Sequence, residues 1–255
     1  DQPAWVQLWI FIKQVVTADF GASWSTNEKV SQILVSRLPP SLTVLVPLLV
    51  VETIITIGLA LAVAYMRASL TDRVVMILCT IGLSISILVY IIVFQYFFAY
   101  KLGWFPVQGW GNSFRENLLV FSALPILIAL TVSIAPNLRL YRTFFLDEIN
   151  QDYVRTARAK GLSENRIMWV HVLRNASIPI ITHLMAGLPG LLLGAFLIER
   201  FFSIPGIGRE VILAVERSDF PVIKALTVYV AFATMASNLL ADLMYKAADP
   251  RVQLK

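Results

Sequence analysis

Residues 147–175 read DEINQDYVRTARAKGLSENRIMWVHVLRN, a polar run between segments apolar enough to cross a bilayer. About 29 residues with this density of charge cannot sit in lipid, so the run is a soluble connection. It does not have the pattern of a disordered linker. Ala157, Ala159, Leu162, Ile167, Val170 and Leu173 interleave with the charges, and Gly161 interrupts the run near its centre. The spacing predicts two short amphipathic helices hinged at a glycine, a surface suited to a groove on another protein.

Hydrophobic residues make up 58% of the chain, charged residues only 15%, and mean hydropathy is +0.73, far from a soluble domain's balance. The single cysteine, Cys79, lies inside an apolar run, which excludes an intrachain disulfide and a thiolate-based metal site. A net charge of +5 raises the question of nucleic acid, but the basic residues sit at the ends of apolar spans, where they act as topology signals.

Five stretches, 42–66, 74–100, 118–135, 178–198 and 222–245, reach the ~20 residues needed to cross ~30 Å of hydrocarbon. One set of connections is dense in Arg and Lys: Arg67 and Arg73, the run from Arg139 to Arg174, and the tail with Lys246, Arg251 and Lys255. By the positive-inside rule that set faces the cytosol, and residues 1–41, 101–117 and 199–221 face outward. An outward residue 1 and an inward tail require an odd number of spans. The expectation is therefore a six-span subunit whose first helix lies outside this sequence; an extracellular N-terminus left by signal cleavage is the alternative.

No catalytic constellation is present. His171 and His183 are the only histidines, and the sequence lacks a metalloprotease helix, a paired-cysteine motif, a phosphate loop and a nucleophile elbow. Uphill transport would then draw on an ion gradient or on a separate ATPase. The intramembrane acids form no relay, since Glu52 stands alone about ten residues into its helix. The docking-like loop favours an external motor over a stand-alone secondary transporter.

DYVRTARAKGL at 152–162, followed by HVLRNA at 171–176, resembles the cytoplasmic loop of ABC importer permeases, most closely the dipeptide, oligopeptide and nickel group. Further matches are FSIPGIG at 202–208, RSDFPV at 217–222, DLMY at 242–245 and DPR at 249–251. DFGAS at 19–23 and RLP at 37–39 resemble the outer segment of that group's B-type subunit. Where the general importer pattern has Glu-Ala-Ala and Leu-Pro, this chain has Arg155-Thr156-Ala157 and Leu173-Arg174, similar to the peptide group's own version.

The resemblance implies an all-α membrane protein with the type I ABC importer permease fold, divided into an outer N-terminal segment 1–41 and a permease domain 42–255 with a coupling loop at 139–177. It implies that Asp152, Tyr153, Thr156, Ala157, Ala159, Lys160, Gly161, Leu162 and Trp169 engage an ATPase subunit. The implied partners are a homologous second permease subunit, two ABC ATPases, an external solute-binding protein and the lipid of a bacterial inner membrane. No cofactor, metal or nucleic acid is implied, because ATP hydrolysis belongs to the separate subunits. Peptides or peptide-like solutes are the implied cargo.

A possible pathway or gate is carried by Glu52, Gly187, Gly190, Gly194, Pro205 and Gly206. Glu52 either attracts a solute's ammonium group or bonds a partner on the next helix. Gly190 and Gly194 form a small-xxx-small pair beside Pro189, read either as a pivoting pore helix or as ordinary close packing. Residues 203–208 suggest a re-entrant turn closing the outer end, or else a plain surface turn. Tyr100, Trp104 and Trp110 are expected as interfacial anchors, and residues 5–12 as an apolar element lying against the outer face.

Overall fold

The computed structural model describes residues 3–194 and 196–248, without the side chains of 190–194 and 246–248. Among the described residues every regular element is helical. The first, α1 (Ala4–Thr17), buries none of its residues and leaves Trp5, Leu8 and Trp9 exposed. Its C-cap, Ala18, is left-handed, and the chain then turns through residues 19–29 into α2 (Val30–Tyr65).

α2 is 36 residues long, or ~54 Å at 1.5 Å per residue, well beyond one bilayer core. It starts 12 residues before the expected span at 42, so the boundary expected at residue 41 falls inside a continuous helix. Val30 and Ile33 explain the extension. Both are buried against residues of the chain's later helices, and this packing holds the first turns helical.

The second expected span, 74–100, is not one helix. α3 (Leu70–Ser84) and α4 (Ile87–Phe94, continued by a π-helical stretch Gln95–Lys101) meet at a bend of 93°. Ile85 and Ser86 are extended, and the Ser86 hydroxyl accepts the Leu88 N–H at 3.4 Å, starting a fresh helix. Both halves are apolar, so hydropathy runs unbroken across a backbone that does not.

A one-turn α5 (Phe114–Glu116) leads through a π-helical stretch, Asn117–Phe121, into α6 (Ala123–Ile149). This helix overshoots the expected end at 135 and carries Arg139 and Arg142 with it, so the polar run begins inside a helix. Tyr141, Phe145 and Ile149 hold that extension by burial. Short helices α7 (Asp152–Ala159) and α8 (Glu164–Arg166) follow, and a π-helical stretch Ile167–Val172 joins α8 to α9 (Leu173–Gly194). Then come α10 (Phe196–Phe201), α11 (Ile207–Glu216) and α12 (Phe220–Ala248).

Among the described residues three helices are long and apolar enough to cross a membrane, within α2, α6 and α12, and a fourth if the bent α3–α4 pair counts as one. α9 occupies the remaining expected span and runs at its far end into residues outside the description. α2 packs mainly along α6, and α9 along α12. The apolar core falls into three clusters. One lies at the end of the bundle bearing the polar run, one between α2, α4, α6 and α10, and one where residues 20–38 meet α11 and α12.

Candidate functional site: a docked polar loop and three buried carboxylates

α7 ends in a Schellman motif. The Leu162 N–H donates to the Ala157 carbonyl at 3.3 Å and the Gly161 N–H to the Arg158 carbonyl at 2.9 Å, with Gly161 at φ +77°. A Cβ at Gly161 would meet nothing within 4 Å, so glycine is required there by backbone conformation alone and not by crowding. Arg158 reaches across the turn to Glu164, Nε to Oε1 at 2.7 Å and Nη2 to Oε2 at 3.2 Å. That hydrogen bond holds the Glu164 carboxyl below its usual range.

The loop is folded down onto the bundle. Val154 and Ala157 of α7, one turn apart, are buried with Ile167 and Met168 against Phe145 and Ile149. Ala157, which the resemblance implies engages an ATPase, is thus also a core contact, and Leu162 is half-buried beside it. Asp152, Thr156, Ala159, Lys160, Gly161 and Trp169 remain exposed. Tyr153 is held partly inward by its hydroxyl, which donates to Glu148 Oε2 at 2.7 Å, and burial pushes its phenol up to about 12. Tyr153, Thr156, Ala157, Lys160, Leu162 and His171 line an open concavity of about 340 Å³.

At the opposite end, the turn expected at 203–208 is built around an acid that the motif alone did not single out. Glu199 is fully buried; its Oε1 accepts the Ser41 hydroxyl at 2.7 Å and its Oε2 the Arg209 N–H at 2.9 Å. Ser41 Oγ in turn accepts the Ile207 N–H at 2.8 Å. The carboxylate and the serine together cap α11, whose N-cap Gly206 offers no side chain. A Cβ at Gly206 would collide with Glu199 Oε2 and Ser41 Oγ, and one at Gly208 would lie 2.7 Å from the Phe196 backbone. Pro205 is half-buried at the tip.

Residues 23–25 close over the same end. Asp219 is buried and accepts Ser23 Oγ at 2.5 Å, Ser25 Oγ at 2.9 Å, and the N–H groups of Trp24 and Ser25 at 3.2 Å each. Burial alone would raise its pKa, but these donors outweigh burial and hold the carboxyl below its ordinary value. Tyr100 and Trp104 are exposed, whereas Trp110 packs partly against the core.

Between the two ends, Glu52 is only 5% exposed. Its Oε1 accepts Asn137 Nδ2 at 2.8 Å from α6 and Thr56 Oγ1 at 3.1 Å from its own helix. The partner is therefore on α6, which packs along α2, and not on the next helix in sequence. Glu52, Ser133, Asn137, His183 and Gly187 line a cavity of about 280 Å³ with Leu48, Leu49 and Leu184. A Cβ at Gly187 would meet nothing within 4 Å, so close packing does not explain that glycine. Gly190 and Gly194 lie where the surroundings are outside the described residues, as does DPR at 249–251.

Long apolar helices closed at one end by a folded polar loop mark a multi-pass membrane protein. More narrowly, the chain belongs to the ABC importer permeases: the family model for the binding-protein-dependent transport system inner membrane component matches residues 54–254. It is similar to the dipeptide transport system permease protein DppB of Lactococcus lactis subsp. cremoris, with 33% identity over 255 residues covering all of this chain and 82% of that protein. Against the glutathione transport system permease protein GsiC of Escherichia coli K12 the identity is 32%, over all of this chain and 81% of that protein. The oligopeptide transport system permease protein AppB of Bacillus subtilis 168 is also 32% identical, over 99% of this chain and 82% of that protein.

Proposed function

We propose that this chain is a permease subunit of a bacterial inner-membrane importer that carries peptides or peptide-like solutes, driven by ATP hydrolysed in separate subunits. A homologous second permease completes the pathway with it. Two cytoplasmic ATPases dock on the cytoplasmic loops of the two permeases, here the 152–169 segment, and an external binding protein delivers the solute. The single observation that carries this reading is the division of the loop. Val154, Ala157, Ile167 and Met168 fix it to the bundle, while Thr156 and Lys160 stay exposed at an open concavity and Trp169 is exposed as well. A loop anchored in this way passes a push on its outer face directly into α6 and α9. The peptide cargo rests on relatives named for dipeptide, oligopeptide and glutathione transport.

The test is uptake into proteoliposomes containing this chain, its partner permease and the binding protein, with and without the ATPase subunits. Uptake should require both the ATPases and ATP and should survive a protonophore. Uptake without ATPases that collapses with the proton gradient would instead establish a secondary transporter.

A further inference from the structure

We propose that the cavity around Glu52 is a subsite for a cationic group of the transported solute, with Glu52 Oε2 as its anionic partner and the α-ammonium of a peptide as its natural occupant. This rests on reading the chain as a pathway-forming permease.

The argument starts from the unused half of a carboxylate. Oε1 is taken by Asn137 and Thr56, both neutral donors. Oε2 receives no hydrogen bond from the described residues, and Glu52 lines the cavity. Among the described residues Glu52 has no ion-pair partner, and those lining the cavity include no Lys or Arg. A carboxylate inside an apolar helix with two neutral donors is under-compensated for charge.

An ammonium supplies what is missing. It brings positive charge and three donors, and the residues lining the same walls include Asn137, Ser133 and His183, each of which carries a side-chain acceptor. His183 is steered by Tyr141, whose hydroxyl lies 3.3 Å from Nδ1, leaving Nε2 for other contacts. The size also fits. An apolar cavity of ~150 Å³ admits benzene, so about 280 Å³ takes the amino-terminal residue of a peptide. Leu48, Leu49 and Leu184 give the apolar wall that such a residue's side chain requires.

The test uses the assembled complex in proteoliposomes, with Cys79→Ser as background and Gly187→Cys as reporter, because open space faces that position. The thiol is labelled during turnover with methanethiosulfonates bearing either a trimethylammonium or a sulfonate head, each rate being normalised to a free thiol in solution. The cationic reagent should be favoured by about tenfold, and Glu52→Gln should bring the ratio to about one. Uptake of a free-amino dipeptide should fall by about tenfold or more in Glu52→Gln and recover partly in Glu52→Asp. Equal normalised rates with Glu52 intact would overturn the cationic subsite while leaving the pathway intact. No labelling in a complex that transports would remove the cavity from the pathway, and the proposal with it. ATPase-dependent uptake in the same vesicles reads the importer assignment separately. If Gly187→Cys fails to assemble, Ser133→Cys reports from the same wall.

Discussion

Arg142 grips Asp72 through two parallel hydrogen bonds, Nε to Oδ1 and Nη2 to Oδ2, both 2.7 Å. Asp72 is 5% exposed, and its Oδ2 also accepts the Ala68 N–H at 3.0 Å, so one carboxylate ties α6 to the start of α3. Removing the guanidinium would leave a buried charge without its counter-ion. Arg142→Ala should destabilise the subunit by about 3–5 kcal/mol, and Arg142→Ala with Asp72→Asn should recover much of that loss. Thermal unfolding in detergent reads both; a single variant as stable as the parent would show the pair to be idle.

Gly161 offers a cleaner separation of strain from crowding. Gly161→Ala and Gly161→Leu should each cost about 1–2 kcal/mol through the left-handed backbone, with little difference between them because no neighbour faces the new side chain. Gly161→Asn should cost less. The readouts are hydrogen exchange at the end of α7 and retention of the ATPases; a much larger loss for Leu than for Ala would mean a neighbour closes over the turn.

The buried and exposed faces of the loop predict different failures. Ala157→Asp puts a charge among Phe145, Ile149 and Met168 and should impair folding of the chain itself. Trp169→Asp, on a side chain 53% exposed, should fold normally and lose ATPase capture. Glu164→Ala removes a surface pair and should cost less than about 1 kcal/mol. Equal capture by Trp169→Asp and the parent would leave the loop a connector.

Asp219 sets an acid limit on the far end. Its folded pKa is lowered, so its stabilising contribution is fully present above the ordinary carboxylate value of ~3.9 and is lost as pH falls through the lowered folded value. Asp219→Asn should therefore be less stable than the parent at pH 7, and the gap should close only below about pH 4. Melting temperature against pH checks this. A gap that closed between pH 5 and 7 would assign the effect to another group.

Orientation is tested directly. Cysteines at Ser163 and Ser113, with Cys79 buried, should be labelled by impermeant reagents from opposite faces, Ser163 from the cytosol only. Labelling of both from outside would invert the topology.

Much of this was legible in the residues. Apolar length located the helices because lipid imposes it, and the charged run announced a soluble loop. Gly161 was identified as the hinge, although its reason is φ and not space. What escaped depended on partners distant in sequence. The break at Ile85 and Ser86 is two residues wide inside an apolar run, too short to leave a trace in hydropathy. The burial of Ala157 escaped because alternation with charge does not say which face is core; its spacing from Val154, one helical turn, was the available clue. Glu199 needs Ser41, 158 positions earlier, before its role is visible.

α6 runs unbroken from Ala123 to Ile149, with Asn137 at its middle and the loop at its end. From Asn137 to Ile149 the rod measures ~18 Å at 1.5 Å per residue. A tilt of about 10° pivoted at Ile149 would therefore carry Asn137 through ~3 Å, the length of the hydrogen bond it gives Glu52. The continuity of one helix puts the loop at one end of a lever whose arm carries Asn137, so a push on the loop that tilts α6 would be felt at the bond to Glu52.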